Sequence, residues 1–142
     1  MLRFTKRADY GLMAIHYIAI HDEGAVSAKR IAEEFSIPQE LLAKILQRLA
    51  KQGLIVSHNG PKGGYVLSRR AAEISVGEVI RALEGPINIV SCLEDSECPQ
   101  MERCSLRRPV QKLQAAITQM LDTMSLAELT TEDVPEIFTI RA

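Results

Sequence analysis

Apolar residues in the first third of the chain recur at intervals of three and four, the spacing of one helical face. Leu12, Ile15, Ile18 and Ala19 make such a stripe and predict a helix from Thr5 or Lys6 to about Ile20. Beyond Gly24, Ser27 is placed to cap a short helix that carries Ala28, Ile31 and Ala32 and ends near Phe35. Ser36 is expected to cap the next helix, with Pro38 in its first turn, where a missing N–H costs little. Leu41, Leu42, Ile45, Leu46 and Leu49 supply the buried side of that helix, which runs from about Pro38 to Lys51 until Gly53 stops it.

Two helices joined by a tight turn, the second amphipathic, predict a helix-turn-helix with the second as recognition helix. Its polar positions are Gln39, Glu40, Lys44, Gln47, Arg48 and Lys51. The early ones are candidates for base edges in the major groove and the later basic ones for phosphate. Gln39 suits an adenine edge and Glu40 a cytosine amine, although solvation and the helix N-terminus are their simpler uses. Two short strand-like runs, Leu54–Ser57 and Tyr65–Leu67, flank His58-Asn59-Gly60-Pro61-Lys62-Gly63-Gly64. That glycine-rich hairpin predicts a wing whose tip, His58, Gly60, Pro61, Lys62 and Gly63, can approach the DNA backbone. His58 reads as a phosphate or surface residue rather than a metal ligand. Lys6 and Ser27 complete the candidate DNA contacts.

The pattern resumes with Ser75-Val76-Gly77-Glu78, a capping box that opens a helix through Val79, Ile80 and Leu83, ended by Gly85-Pro86. From Pro109, the residues Val110, Leu113, Ile117, Met120, Leu121 and Met124 repeat at helical spacing. So long an amphipathic helix needs a partner for its stripe, and the same helix of a second subunit is the natural one. The alternative is packing back on its own domain. Leu126 to Ala142 shows no recognisable chemistry. The organisation expected is a winged helix-turn-helix domain over residues 1–85, a cysteine loop over 86–108, and a dimerisation helix with its tail over 109–142.

Charge sharpens this division. The formal net charge of −1 conceals eleven Lys/Arg against six Asp/Glu in residues 1–70, and six against twelve in residues 71–142. The basic half can face phosphate and the acidic half would be repelled by it. At 142 residues there is room for one good core and an appended element. No segment approaches the roughly 18 uninterrupted apolar residues of a membrane span, so the expected location is cytoplasmic, without membrane association.

All three cysteines lie in the polar loop, at equal spacing: Cys92, Cys98 and Cys104. An odd count in a reducing compartment fits a disulfide framework poorly. Thiolates favour iron–sulfur clusters, zinc or copper(I), and the five-residue gaps are wide for a zinc knuckle. Glu94, Asp95, Glu97 and Glu102 disfavour an uncompensated thiolate, a bias that a bound metal reverses. The spacing leaves open a cluster, another soft metal, a thiol redox pair and inert thiols.

Several motifs together resemble a known family. They are the opening Leu2-x-x-Thr5-Lys6, Asp9-Tyr10, the wing Leu54-x-x-x-x-x-Gly60-Pro61-Lys62-Gly63-Gly64-Tyr65, the run Ser75-Val76-Gly77-Glu78-Val79-Ile80, and the cysteine loop. In combination, over nearly the whole chain, they resemble the IscR/NsrR/RirA family of bacterial regulators. The resemblance implies a dimeric winged-helix repressor or activator, with Cys92, Cys98 and Cys104 holding an iron–sulfur cluster near the partner's first helix. The iron–sulfur assembly regulator of that family has a histidine three residues after the third cysteine, where this chain has Arg107. Nitric-oxide-sensing relatives use an aspartate of the partner's first helix instead, and the matching residue is Asp9. Three thiolates and one carboxylate suit a 4Fe–4S cluster, with 2Fe–2S as the alternative; the simpler role for Asp9 is at the helix N-terminus. The assembly regulator's recognition-helix glutamate, which discriminates cluster-bound from apo targets, corresponds to Ala43, so that two-specificity behaviour is not expected.

The fold class expected is mainly α with a small β wing: a winged helix-turn-helix and a long C-terminal dimerisation helix. The function expected is a homodimeric regulator, by default a repressor, acting on a palindromic operator in double-stranded DNA. Its targets would concern iron–sulfur assembly or iron homeostasis, with nitric oxide response as the alternative. A cluster-free repressor responding to thiol redox, zinc or a metabolite is the nearest rival. An iron–sulfur carrier or electron-transfer protein would leave the helix-turn-helix, wing and charge division unexplained. Three histidines in no catalytic arrangement argue against an enzyme.

Overall fold

The computed structural model describes residues 2–90 and 98–131. The chain runs α1 (Lys6–Ile20), α2 (Ala28–Phe35), α3 (Gln39–Lys51), β1 (Ile55–His58), β2 (Gly64–Leu67), a 3₁₀ turn (Ala71–Glu73), α4 (Val76–Glu84), α5 (Arg107–Thr123) and α6 (Leu126–Leu129). It is the expected helical fold with a two-stranded wing and a long C-terminal helix. No described helix is long and apolar enough to cross a membrane.

Local chemistry explains most of the boundaries. The Thr5 hydroxyl accepts the Ala8 N–H at 3.1 Å and starts α1. Ala8, Gly11, Ala14, Ile15, Tyr17 and Ile18 are the buried positions of α1, so its inner face is rotated from the expected stripe, and Leu12 and Ala19 sit only at its margin. Gly11 lies on this inner face: a Cβ there would lie 2.1 Å from Leu83 Cδ1, and its absence lets α4 pack closely onto α1. The Ser27 hydroxyl accepts the Arg30 N–H at 3.1 Å and caps α2 as expected.

Two expectations for the recognition helix are corrected. Ser36 ends α2 instead of capping α3: it adopts the left-handed conformation (φ 53°) and donates its N–H to Ala32. Pro38 occupies the cap position of α3 with no side-chain hydrogen bond, and its carbonyl accepts from Leu42 N–H at 3.0 Å. Leu41 is 38% exposed. It lies about 100° round the helix from Leu42, off the row formed by Leu42, Ile45, Leu46 and Leu49. That row is buried against α1, α2 and α4.

The wing strands are antiparallel, with Ile55 opposite Leu67 and His58 opposite Gly64. Tyr65 and Val26 exchange backbone hydrogen bonds at 2.8 and 3.0 Å, which ties the base of the wing to the segment before α2. Gly64 permits this approach: at φ +155° its hydrogen faces the Val26 carbonyl, and a Cβ would meet it at 2.4 Å.

The Ser75–Glu78 capping box is present in full, with hydrogen bonds of 2.9 and 3.1 Å. Partial burial raises the Glu78 pKa, but the Ser75 N–H and the Arg69 guanidinium outweigh it and hold the carboxyl below its ordinary value. α5 begins at Arg107, two residues before the expected start. Pro109 is therefore its third residue, where the N–H it lacks would have had no partner in the helix. The segment from Leu126 onward carries structure that its sequence did not reveal. A second capping box, Ser125–Glu128, opens α6, and Leu126 is fully buried in the core. Backbone bonds from Val76 to Met124 and from Leu126 to Ile74 join this turn to the start of α4. The rest of the tail, 132–142, lies outside the described residues. Leu126→Ala is expected to lower the unfolding free energy by about 2–5 kcal/mol, measured by urea denaturation of the full chain.

Candidate nucleic-acid interface and cysteine segment

With one side of α3 committed to the core, Glu40, Lys44, Gln47 and Lys51 fall on the opposite side at helical spacing, all exposed. Gln39 is exposed at the first helical position. Arg48 is differently employed: it flanks the stripe and donates through Nε to the Ala82 carbonyl of α4 at 3.1 Å. Ala43 is half-buried. The outward stripe combines one carboxylate, one amide and two cations, a set that can read base edges and bind phosphate.

The wing tip projects His58, Gly60, Pro61 and Lys62 into solvent, while Gly63 is half-buried within the turn. The Gly63 N–H donates to Gly60 at 2.9 Å, and a Cβ on Gly63 would lie 2.4 Å from the His58 carbonyl. The tip is therefore a closed loop with Lys62 as its cation. Lys6 is exposed at the start of α1, with Nζ 5.7 Å from the Tyr10 ring centre. Ser27 is half-buried, its hydroxyl occupied by the cap of α2.

Of the cysteines, Cys92 lies outside the described residues. Cys98 is half-buried and Cys104 exposed, both as free thiols. They bracket a run of turns in which Met101 N–H donates to Cys98 and Arg103 N–H to Gln100, each at 3.0 Å. Cys104 lies three residues before α5. Asp9 is exposed in the first turn of α1, its N–H bonded to Thr5 at 2.9 Å. Among the described residues, no three or more His, Cys, Asp or Glu side chains gather within one chain as a metal site would require. Thiol sulfur is a donor that suits soft metals and iron–sulfur clusters, and Cys98 and Cys104 lie on a different part of the chain from Asp9.

Two anchors near this segment have no local sequence signal. Glu84 accepts from the Thr5 hydroxyl and from Arg7 Nε at 3.2 Å, fastening the N-terminus of α1 to the end of α4. Gln114 of α5 bonds the backbone of Ile87 and Ile89. Between these anchors lies a cavity of about 650 Å³ walled by Leu2, Phe4, Ile80, Ile87, Ile117 and Leu121. No residue of α5 is fully buried, and Leu106 and Leu113 are 63% and 52% exposed.

Arg48→Ala is expected to lower the unfolding free energy by about 1–2 kcal/mol, because its charged bond to Ala82 is lost. Lys44→Ala and Lys51→Ala are expected to stay within about 0.5 kcal/mol of the parent; chemical denaturation of the three variants checks this.

Residues 4–132 match the Rrf2 family, described as iron-dependent transcriptional regulators. The HTH-type transcriptional regulator IscR of Serratia proteamaculans is 34% identical over 129 residues, spanning 90% of this chain and 79% of the relative. The HTH-type transcriptional repressor NsrR of Streptomyces coelicolor is 31% identical over 130 residues, spanning 90% and 88%. Among solved structures, CymR, the global cysteine regulator of B. subtilis, superposes with a TM-score of 0.78 at 30% identity, covering 94% of this chain and all of that one. The chain belongs to the Rrf2 family of winged helix-turn-helix transcriptional regulators.

Proposed function

We propose that this Rrf2-family chain is a homodimeric DNA-binding repressor governed by an iron–sulfur cluster, with iron–sulfur assembly or iron homeostasis genes as its targets. The observation that carries the reading is the joint placement of three surfaces. They are the outward stripe of α3, the Lys62 wing tip, and an α5 with no buried side chain that follows directly on Cys104. The stripe Glu40, Lys44, Gln47 and Lys51, with Gln39, enters the major groove; Lys62 and Lys6 neutralise phosphate, and His58 contacts it. Gly60, Pro61 and Gly63 shape the wing for that approach, Ser27 fixes the start of α2, and Arg48 positions α3 from behind.

The exposed apolar side chains of α5, Leu113 foremost, are covered by the α5 of a second subunit. Twofold symmetry then presents two recognition helices to a palindromic operator. Cys92, Cys98 and Cys104 hold the cluster, 4Fe–4S by preference and otherwise 2Fe–2S, and the partner's copy of Asp9 supplies the fourth ligand. The exposure of Asp9 in the first turn of α1 supports its donation across the dimer. When bound, the cluster supplies a labile, redox- and nitric-oxide-sensitive centre. This chain's residues transmit its state: the Cys104 segment continues into α5, and α5 rests on α4, which holds α3.

A second reading has a specific likeness behind it. Similarity to the cysteine regulator CymR favours a cluster-free repressor that answers to a metabolite, zinc or thiol oxidation on the same scaffold. Nitric oxide sensing is the variant of the cluster reading favoured by the likeness to NsrR.

Anaerobic purification with iron and sulfide analysis and a visible spectrum separates these readings. The proposal expects a brown protein holding about four iron and four sulfide per subunit in the 4Fe–4S form. It expects Asp9→Ala to bleach several-fold faster in air. A colourless protein with intact thiols contradicts it.

A further inference from the structure

The cavity between the Glu84 and Gln114 anchors has a volume of about 650 Å³, within the roughly 300–1,000 Å³ of small-molecule sites. Its lining grades from the nearly fully buried Ile80, through the half-buried Ile87, Ile117 and Leu121, to Leu2 and Phe4 at 69% and 47% exposed. Apolar walls of this kind tend to close on themselves, because atoms that face a void lose their contacts. Polar anchors hold these walls in place. Glu84 accepts from the Thr5 hydroxyl and Arg7, which fixes the N-terminal wall. Gln114 bonds the backbone of Ile87 and Ile89, which fixes a second wall.

Charge at the cavity is one-sided. Glu84 contributes to the lining, but its carboxylate is paired with Arg7. Arg3 also contributes; it is exposed and has no ion-pair partner among the described residues. Apolar walls and one available guanidinium select a ligand with an apolar body and a single anionic head, and a carboxylate matches the guanidinium fork. A helix of a second subunit, about 10 Å across, is too wide for this space. That partner is met instead by the side of α5 that bears Leu113, which does not line the cavity.

We propose that this cavity is an effector site for a small amphipathic carboxylate, with Arg3 holding its head. The binding rests on the cavity alone, and its consequence rests on the DNA-binding reading. An occupant sits between α4, which supplies Ile80 and Glu84, and α5, which supplies Ile117 and Leu121. It therefore alters the spacing of α5 and α4, the helix that holds α3. This holds whether the cysteines carry a cluster or remain thiols.

Octanoate and octan-1-ol share a chain and differ in the head. Each is titrated into the full chain, with the isoleucine methyl resonances as the readout. Octanoate is expected to shift Ile80, Ile87 and Ile117 saturably and to leave Ile15 and Ile31 of the main core in place. Arg3→Gln is expected to weaken octanoate about fivefold and to leave octan-1-ol unchanged. Ile117→Trp fills the cavity and is expected to abolish the shifts from both probes. Overpacking can disturb a fold, so unmoved Ile15 and Ile31 resonances report an intact core, and Arg3→Gln, at an exposed position, decides independently. Saturating octanoate is expected to change operator affinity about fivefold or more in the parent and not in Ile117→Trp.

Shifts that never saturate, or that reach Ile15 and Ile31 equally, report detergent-like binding and overturn the site. An octanoate affinity unchanged by Arg3→Gln overturns the assignment of the head. Operator affinity unchanged at saturation overturns the effector role. A protein that binds no operator DNA fails the DNA-binding reading instead, and the methyl shifts still decide the site.

Discussion

A recognition helix can present a fixed polar face only if its other face has one place to go. Here that constraint is the row Leu42, Ile45, Leu46 and Leu49, four side chains at or below 2% exposure. Their burial determines the rotation of α3 about its axis, and hence which residues face outward. A slip of one position would turn the helix by about 100° and bring Leu41 toward the groove in place of Glu40. The base of the wing is set by the same logic from a second direction, through the Val26–Tyr65 bridge that Gly64 allows. The two DNA-facing elements therefore share a rigid base.

α4 is the hub through which that base meets the rest of the chain. It touches α1 where Gly11 makes room for Leu83, and α3 where the Ala82 carbonyl accepts from Arg48. It meets α5 where Gly77 leaves no space for a side chain beside Asp122, and where Asp122 pairs with Arg81 at 2.7 Å. Close-packed contacts of this kind transmit strain between helices. Under the proposed function, a shift of α5 imposed from the cysteine segment would reach α4 and α3 by this route and alter the separation of the two recognition helices. The individual ion pair is exposed and contributes little by itself.

Local patterns disclosed the elements because helix periodicity and caps are short-range properties. Ser27 and Ser75 each cap the helix expected of them, and Thr5 caps α1 at the start that the periodicity marks. The same chemistry explains the error at Ser36: a serine between two apolar runs serves equally as the end of one helix or the start of the next. The choice was made by its left-handed backbone, which lets Ile37 turn back into the core. What stayed hidden was long-range. Glu84 meets Thr5 across 79 residues, Gln114 meets Ile87 across 27, and Leu126 completes a core otherwise built much earlier in the chain. The exposed polar positions of α3 were legible, Arg48 among them; its additional bond to Ala82 depends on where α4 docks. Cys98 and Cys104 were marked by spacing, but their environment depends on neighbours that spacing does not name.

The helix-turn-helix and wing meet the Cys104 segment through α5, α4 and α3. Under the proposed function, the state of that segment changes the affinity for DNA. The most direct measurement is a titration of an operator-containing DNA fragment with anaerobically loaded and metal-free protein, each over a series of salt concentrations. Cluster control requires a difference of about tenfold or more in affinity, or about 1.4 kcal/mol of coupling. It predicts a steep decline of log affinity with log salt in the binding form, as expected when lysines displace counterions. Equal affinities for the two forms at every salt concentration would contradict cluster control.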